Sequence, residues 1–146
     1  MVTVLTLDEL QRIVNEAFPD HDVPTIASLE GDTLELVQSV ASRHTRPGGT
    51  LSGPTMMALA DNAAWLIILA HVGPLLLAVT TSLHIDFLRK PAVADLVARA
   101  RLIKLGRRLA VVDVEVTSRG SSELVAKAQV TYSIPPSATE PPNGTN

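Results

Sequence analysis

Asp61 is the residue whose position most needs a chemical explanation. It is the one ionisable side chain in the apolar stretch between Pro54 and Ala70. An unpaired buried carboxylate is strongly disfavoured unless it gains hydrogen bonds or faces a cleft. Two explanations are open: a structural carboxylate, hydrogen-bonded at an interface or exposed by the rotation of a helix, or a functional carboxylate.

A glycine-containing loop, Gly48-Gly49-Thr50-Leu51-Ser52-Gly53-Pro54, directly precedes this stretch. Pro54 is well suited to the first turn of a helix. The free N–H groups and the positive dipole end of a helix N-terminus favour an oxyanion or a polarised carbonyl. The alternative is an ordinary helix cap that begins at Ser52 or Gly53.

The spacing of these two features limits how they could form one site. Gly53 and Asp61 lie eight positions apart, which on one helix corresponds to roughly 12 Å of rise. One helix therefore cannot bring them together. A two-fold partner could place Asp61 of one subunit beside Gly53 of the other, at a dimer interface.

The elements that must position these residues follow from the hydrophobic pattern. Residues 55–72 are apolar on almost every side, which predicts a long helix surrounded by protein. A short amphipathic helix behind Thr6 and a hairpin turn at Gly31-Asp32 precede it. After Gly73-Pro74 the period changes to two, and we expect an antiparallel meander of four strands near residues 76–88, 95–105, 108–118 and 123–134.

These elements predict an α+β protein with the hotdog fold, an antiparallel sheet of about six strands wrapped round a long central helix. One domain is expected over residues 1–134. The Pro-rich segment 135–146 is expected to be a disordered tail. A sheet this apolar commonly finds cover in a second subunit, so we expect a dimer or larger.

Composition excludes several classes of function. Aromatic residues make up 3% of the chain and its net charge is −3, which disfavours nucleic-acid binding by base stacking and phosphate contacts. There is no cysteine, and the four histidines lack close ligand spacing, so no metal site is expected. The N-terminus lacks a secretory signal and the apolar stretch is too interrupted for a membrane span; we expect a cytoplasmic location.

Four segments together resemble the phenylacetic-acid-degradation-type (PaaI-like) hotdog acyl-CoA thioesterases, over roughly residues 30–134. They are Ser52-Gly53-Pro54-Thr55-Met56-Met57-Ala58-Leu59-Ala60-Asp61-Asn62-Ala63, the segment from Val79-Thr80 through Phe87-Leu88-Arg89-Lys90-Pro91, Leu105-Gly106-Arg107, and Leu124-Val125-Ala126-Lys127-Ala128. The family pattern has His-Gly-Gly before the helix. Here Ser52 replaces the histidine and Pro54 the second glycine.

The resemblance implies roles at the reacting group. Asp61 would be the nucleophile or general base, and the Gly53 N–H would hold the developing oxyanion. Ser52 stands at the family's histidine position and joins the candidate catalytic set. Thr80 would position the carboxylate or water, although a strand threonine chosen for β propensity is an equal alternative.

The resemblance also implies contacts to the rest of the substrate. Arg89, Lys90, Arg107 and Arg108 fall at strand ends where related enzymes contact CoA phosphates. Solvated loop charge is the alternative for each. Trp65, one turn after Asp61, could line the acyl pocket, with core packing as its alternative.

Taken together, the leading hypothesis is a thioesterase for small or medium acyl-CoA, aryl-acyl groups included. It needs no cofactor, since the CoA thioester is the substrate, and it forms its site as a homodimer, with a dimer of dimers (homotetramer) expected. The changed loop leaves open a non-catalytic acyl-CoA-binding or sensing protein. A hotdog hydratase or dehydratase ranks last, because no histidine lies near Asp61 in sequence and His84 could approach only through folding.

Overall fold

The computed structural model describes residues 2–18, 23–74 and 77–136. Its helices and strands, in chain order, are α1 (Leu7–Ala17), β1 (Thr25–Glu30), β2 (Thr33–Gln38), β3 (Thr45–Arg46), β4 (Thr50–Leu51), α2 (Gly53–Val72), β5 (Val79–Phe87), β6 (Leu96–Leu105), β7 (Leu109–Ser118) and β8 (Leu124–Ser133). A short 3-10 turn, Ser42–His44, precedes β3. The predicted tail from residue 135 falls almost entirely outside the described residues and stays a prediction.

One antiparallel sheet of six strands carries the fold, in the order β1-β2-β6-β7-β8-β5. The predicted α+β class and hotdog architecture are confirmed. The four-strand meander is wrong in one respect: β5 pairs with β8 and not with its sequence neighbour β6. Residues 88–95, which include Pro91, form a connection long enough to cross the sheet, whereas residues 106–108 form a tight hairpin turn between β6 and β7.

Helix α2 lies against the concave face of this sheet. Ser52 caps its N-terminus, Pro54 occupies its first turn, and Gly73 ends it with φ 97°. Small strand residues, such as Ala98 and Ala110, are fully buried and let the helix approach closely. The helix is long and apolar enough to cross a membrane by composition, but most of it is buried in the core of this domain.

The burial of α2 is not complete in one chain. The prediction of a helix covered on every side differs from the structure along one stripe, where Met57 is 40% exposed and Asp61 and Trp65 are half-buried. These positions recur every four residues and therefore share one face. Trp65 still packs against the hydrophobic core on one side, so this face lies at the margin of the core.

The two edges of the sheet are protected to different degrees. At the β1 edge, the Ile26 N–H donates to Gln11 Oε1 of α1 at 2.7 Å, and a bulge lies between Ile26 and Ser28. At the other edge, every residue of β5 is exposed or half-buried, with Val79 56% and Phe87 49% exposed. A helix and a bulge protect one edge, while β5 stays open for pairing.

Candidate active site

The N-terminus of α2 presents a single N–H group. Ser52 Oγ accepts a hydrogen bond from the Thr55 N–H at 3.3 Å and lies 2.7 Å from Thr55 Oγ1. The Met56 N–H donates to the Ser52 carbonyl, and Pro54 has no N–H. Gly53 is the first residue of the helix, so its N–H is the donor of this turn with no acceptor among the described residues.

Gly53 opens onto a cleft of about 620 Å³. A Cβ atom at Gly53 would lie 3.3 Å from Cζ of Phe87, so this ring packs directly on the glycine. Arg46, Arg89 and Lys90 also line the cleft. The free N–H, an aromatic wall and three cations thus share one concave surface.

Asp61 lies in a separate group of polar side chains. Its Oδ1 accepts hydrogen bonds from Thr80 Oγ1 at 2.7 Å and from the Tyr132 hydroxyl at 2.8 Å. The Tyr132 hydroxyl also lies 3.0 Å from the Asp61 carbonyl oxygen. The carboxylate is therefore held by two strands, β5 and β8, while its helix approaches them from the core side.

A β-bulge is what turns Thr80 toward Asp61. Leu83 opposes the buried Val130 of β8, and strict alternation back from Leu83 would place Thr80 on the outer face. The register shifts between Thr80 and Ser82, so that Thr80 opposes Tyr132. One extra residue on β5 thus puts the hydroxyl on the inner face.

Tyr132 is 4% exposed. Burial raises the pKa of its phenol well above the ordinary value, and the negative charge of Asp61 and the hydrogen bond to it raise this pKa further, against a lowering by the hydrogen bond of Thr80. The phenol is therefore a neutral hydrogen-bond donor throughout the working pH range of an ordinary enzyme.

A single chain keeps the two groups apart, as the spacing predicts. Asp61 lies outside the cleft that Gly53 lines. Helix α2 and strand β5 run in opposite directions, because Gly53 packs on Phe87 at the end of β5 and Asp61 bonds Thr80 at its start. The Gly53 N–H and the Asp61 carboxylate thus lie near opposite ends of one edge strand.

The four predicted phosphate-binding cations also divide between these ends. Arg89 donates to the Leu124 carbonyl at 2.8 Å and lies with Lys90 in the cleft. Arg107, which is exposed, and Arg108, which is half-buried, lie in the turn before β7. Since β7 starts opposite the end of β8, this turn is at the Tyr132 end of the sheet.

Two further candidates are placed by their packing. Ser52 has its hydroxyl engaged in the helix cap. Trp65 is half-buried and packs against the hydrophobic core, while it shares the uncovered face of α2 with Asp61.

Three residues of the site were not predicted from the sequence. The alternating pattern of its strand predicted only that Tyr132 is an apolar position, although a buried tyrosine hydroxyl usually needs a hydrogen-bond partner. The same kind of pattern assigned Phe87 to the core and Arg46 to a polar loop. No spacing rule links these residues to Asp61 or Gly53, because strand pairing and the loop path bring them there.

The histidines and carboxylates do not gather elsewhere. Among the described residues, no group of three or more His, Cys, Asp or Glu side chains could hold a metal ion. His84 lies on the outer face of β5, where its Nε2 is 3.2 Å from Asp86 Oδ2. It therefore faces away from Asp61.

A six-stranded antiparallel sheet wrapped round one long helix is the hotdog fold. The family model described as "Thioesterase superfamily" matches residues 48–131. This chain belongs to that superfamily.

Known proteins agree with this assignment. The structure of a protein assigned as a thioesterase from Silicibacter sp. TM1040 is 45% identical, with 93% of this chain and 96% of that chain covered and a TM-score of 0.85. The structure of a mutant of the phenylacetic acid degradation protein PaaI from Thermus thermophilus is 31% identical, covering 82% and 96%, with a TM-score of 0.67. A protein assigned as an esterase from Thermoplasma acidophilum is 23% identical over 75% of this chain and 81% of its own length.

Proposed function

We propose that this protein is an acyl-CoA thioesterase that hydrolyses a small or medium acyl-CoA, aryl-acyl groups included, to the free acid and CoA. The observation that carries the proposal is the Asp61 carboxylate held by Thr80 and Tyr132 on the uncovered face of α2. A half-buried carboxylate with fixed orientation suits a nucleophile or general base. No cofactor is needed, because the CoA thioester itself is the substrate.

The proposed site is completed by a second copy of the chain. Antiparallel pairing of two β5 strands about a two-fold axis near Leu83 and His84 would set Thr80 opposite Phe87 of the partner subunit. Because Asp61 bonds Thr80 and Gly53 packs on Phe87, this pairing brings Asp61 to Gly53 of the partner subunit. The open β5 edge and the exposed Met57 support it.

In this composite site, Asp61 takes a proton from water, or attacks directly, and the new C–O bond forms at the thioester carbonyl carbon. The carbonyl oxygen, now negative, accepts a hydrogen bond from the Gly53 N–H. The C–S bond then breaks, and the CoA sulfur leaves and is protonated. On the direct route, water cleaves the acyl-aspartyl anhydride and restores the carboxylate.

The basic residues are proposed to bind the phosphates of CoA. Arg46, Arg89 and Lys90 line one cleft, and antiparallel β5 pairing would bring the turn with Arg107 and Arg108 of the partner subunit toward the same end. Cations at both sides suit the several phosphate charges of CoA. Trp65, on the uncovered helix face beside Asp61, is the proposed wall of the acyl pocket.

Dimers of this kind, a dimer-of-dimers assembly and a cytoplasmic location complete the proposal. The uncovered helix face and the β5 edge adjoin at the Asp61–Thr80 hydrogen bond and belong to the proposed dimer interface, so a dimer of dimers would use a further surface. Free CoA esters are small soluble metabolites, which suits a cytoplasmic enzyme.

The experiment is a thiol-release screen across acyl-CoA esters of increasing chain length, with wild type and Asp61→Asn. We expect turnover by the wild type and a loss of about 10²–10⁴-fold in kcat for Asp61→Asn. The matched control is Asp113→Asn, which removes a carboxylate paired with Lys127 on the outer face and should keep activity. Thermal stabilisation by the esters without any thiol release would instead support the acyl-CoA-binding alternative.

A further inference from the structure

Tyr132 touches the proposed catalytic carboxylate from a strand far away in sequence. Its hydroxyl lies 2.8 Å from Oδ1 and 3.0 Å from the carbonyl oxygen of Asp61. The side chain is 4% exposed, and its register partners on both sides are inner-face residues, Thr80 on β5 and Ala110 on β7. Neighbouring strands therefore fix the ring, and the hydroxyl can do little but donate to Asp61.

Both hydroxyl donors use the same carboxylate oxygen. Thr80 Oγ1 reaches Oδ1 at 2.7 Å and Tyr132 reaches the same atom. No hydrogen bond to Oδ2 occurs among the described residues. Two donors on one oxygen fix the rotation of the carboxyl group and leave the other oxygen to react.

We infer that Tyr132 is a positioning residue; the inference rests on the proposed function. Together with Thr80 it holds Oδ1 of Asp61 in place. Oδ2 is then the oxygen that meets water or the thioester. The single hydroxyl proton of Tyr132 is shared between Oδ1 and the Asp61 carbonyl oxygen, with Oδ1 the nearer acceptor. Tyr132 thus holds the carboxylate close to the main chain of α2. Orientation of this kind contributes to the rate and not to substrate binding.

The inference separates Tyr132 from a tyrosine that merely fills the core. If Tyr132 only filled the core, a ring of the same shape would replace it, and Tyr132→Phe would lower the free energy of unfolding without changing the kinetics. A positioning residue loses its function with the hydroxyl, because the carboxyl group can then rotate about a single remaining donor. The loss should appear in kcat and leave KM nearly unchanged.

The test is steady-state kinetics of Tyr132→Phe, with Thr131→Val as the matched control. Thr131→Val removes a hydroxyl from the adjacent position of the same strand, where Thr81 Oγ1 donates to the Thr131 carbonyl oxygen and not to its side chain. We expect Tyr132→Phe to lower kcat by about tenfold or more, the effect of a hydrogen bond to a charged group, with KM within about twofold. Thr131→Val should leave both constants unchanged.

A second measurement keeps the inference testable if Tyr132→Phe folds poorly. Tyr132 is the sole tyrosine of the chain, so 3-fluorotyrosine labels this residue alone. The 19F resonance of the labelled protein should shift on Asp61→Asn and stay in place on Asp113→Asn, and kcat of the labelled enzyme should change with KM retained. An unmoved resonance, or unchanged kcat in both Tyr132→Phe and the labelled enzyme, would overturn the positioning role.

The outcomes also distinguish this inference from the proposed function. If the wild type releases no thiol from any ester, the thioesterase proposal fails, and the 19F shift still reports whether Tyr132 contacts Asp61. If the wild type is active and Tyr132→Phe keeps the wild-type kcat, the thioesterase proposal stands and the positioning role is wrong.

Discussion

The proposed oxyanion donor can be removed without removing the helix that carries it. Gly53 is the first residue of α2, a position that tolerates proline, because its N–H has no partner within the helix. Proline pushes the preceding residue toward extended backbone. Ser52 already has φ −75° and ψ 148°, so Gly53→Pro should fold.

Gly53→Ala is the matched control for this variant. Alanine and proline both add a Cβ, which would lie 3.3 Å from the ring of Phe87. That ring is 49% exposed and can move by the few tenths of an ångström required. The two variants therefore share the added Cβ, and proline differs by replacing the N–H with its ring carbons.

Removal of one oxyanion-hole donor typically costs about 10²–10³-fold in kcat, or about 2.7–4 kcal/mol. We expect Gly53→Pro to fall below Gly53→Ala by this factor in a thiol-release assay. Both variants should melt cooperatively, as judged by circular dichroism. Equal kcat values for two folded variants would refute the role of the Gly53 N–H.

Three further predictions follow from the same geometry. Ser52→Ala should lower the free energy of unfolding by about 1 kcal/mol through loss of the helix cap, and Ser52→Asp should restore it in thermal melts; an unchanged melting temperature for Ser52→Ala contradicts the cap. Thr80→Ser should keep most of the activity that Thr80→Val loses, since the hydroxyl is the working group; equal loss in both points to packing. In an alkaline spectrophotometric titration the single tyrosine should ionise above its ordinary pKa of about 10, and Asp61→Asn should lower that pKa, because the negative charge is gone. The contribution of Tyr132 to the free energy of unfolding should be fully present below about pH 10 and should decline at higher pH, because the phenol ionises first in the unfolded chain. Ionisation of the folded protein's tyrosine at its ordinary pKa would contradict the contact.

Much of the fold was predictable because periodicity is a local property. The apolar run after Pro54 indicates a buried helix, and the alternation in residues 124–132 indicates a strand with one dry face. The neighbour of β5 was not predictable in this way, because alternation assigns faces and leaves strand order open. The long connection through Pro91 was the available signal that β5 does not form a hairpin with β6.

The candidate site divides along the same line. Asp61 and Gly53 could be proposed from one helix and its first residue, and their separation means that a site using both would need a second subunit. Tyr132 was not predictable, because its contact with Asp61 depends on the path of β8. The contact between Thr80 and Asp61 depends on a β-bulge, which no residue pattern in β5 predicts.

The central claim, one site built from Asp61 of one subunit and Gly53 of the other, is tested most directly by complementation. Asp61→Asn and Gly53→Pro chains are co-expressed with different affinity tags, and the mixed assembly is purified through both. Each variant alone should be nearly inactive. With random assembly, about a quarter of all sites combine an intact Asp61 with an intact Gly53 from the other chain.

The account therefore predicts that the co-expressed pool, before selection by tags, releases thiol at about a quarter of the wild-type rate, and that assemblies selected through both tags exceed this fraction, up to about half for an isolated mixed dimer. A site contained within one chain would give no recovery, because every chain then carries a defect. Activity of the mixed assembly no higher than that of the two single variants would contradict the account.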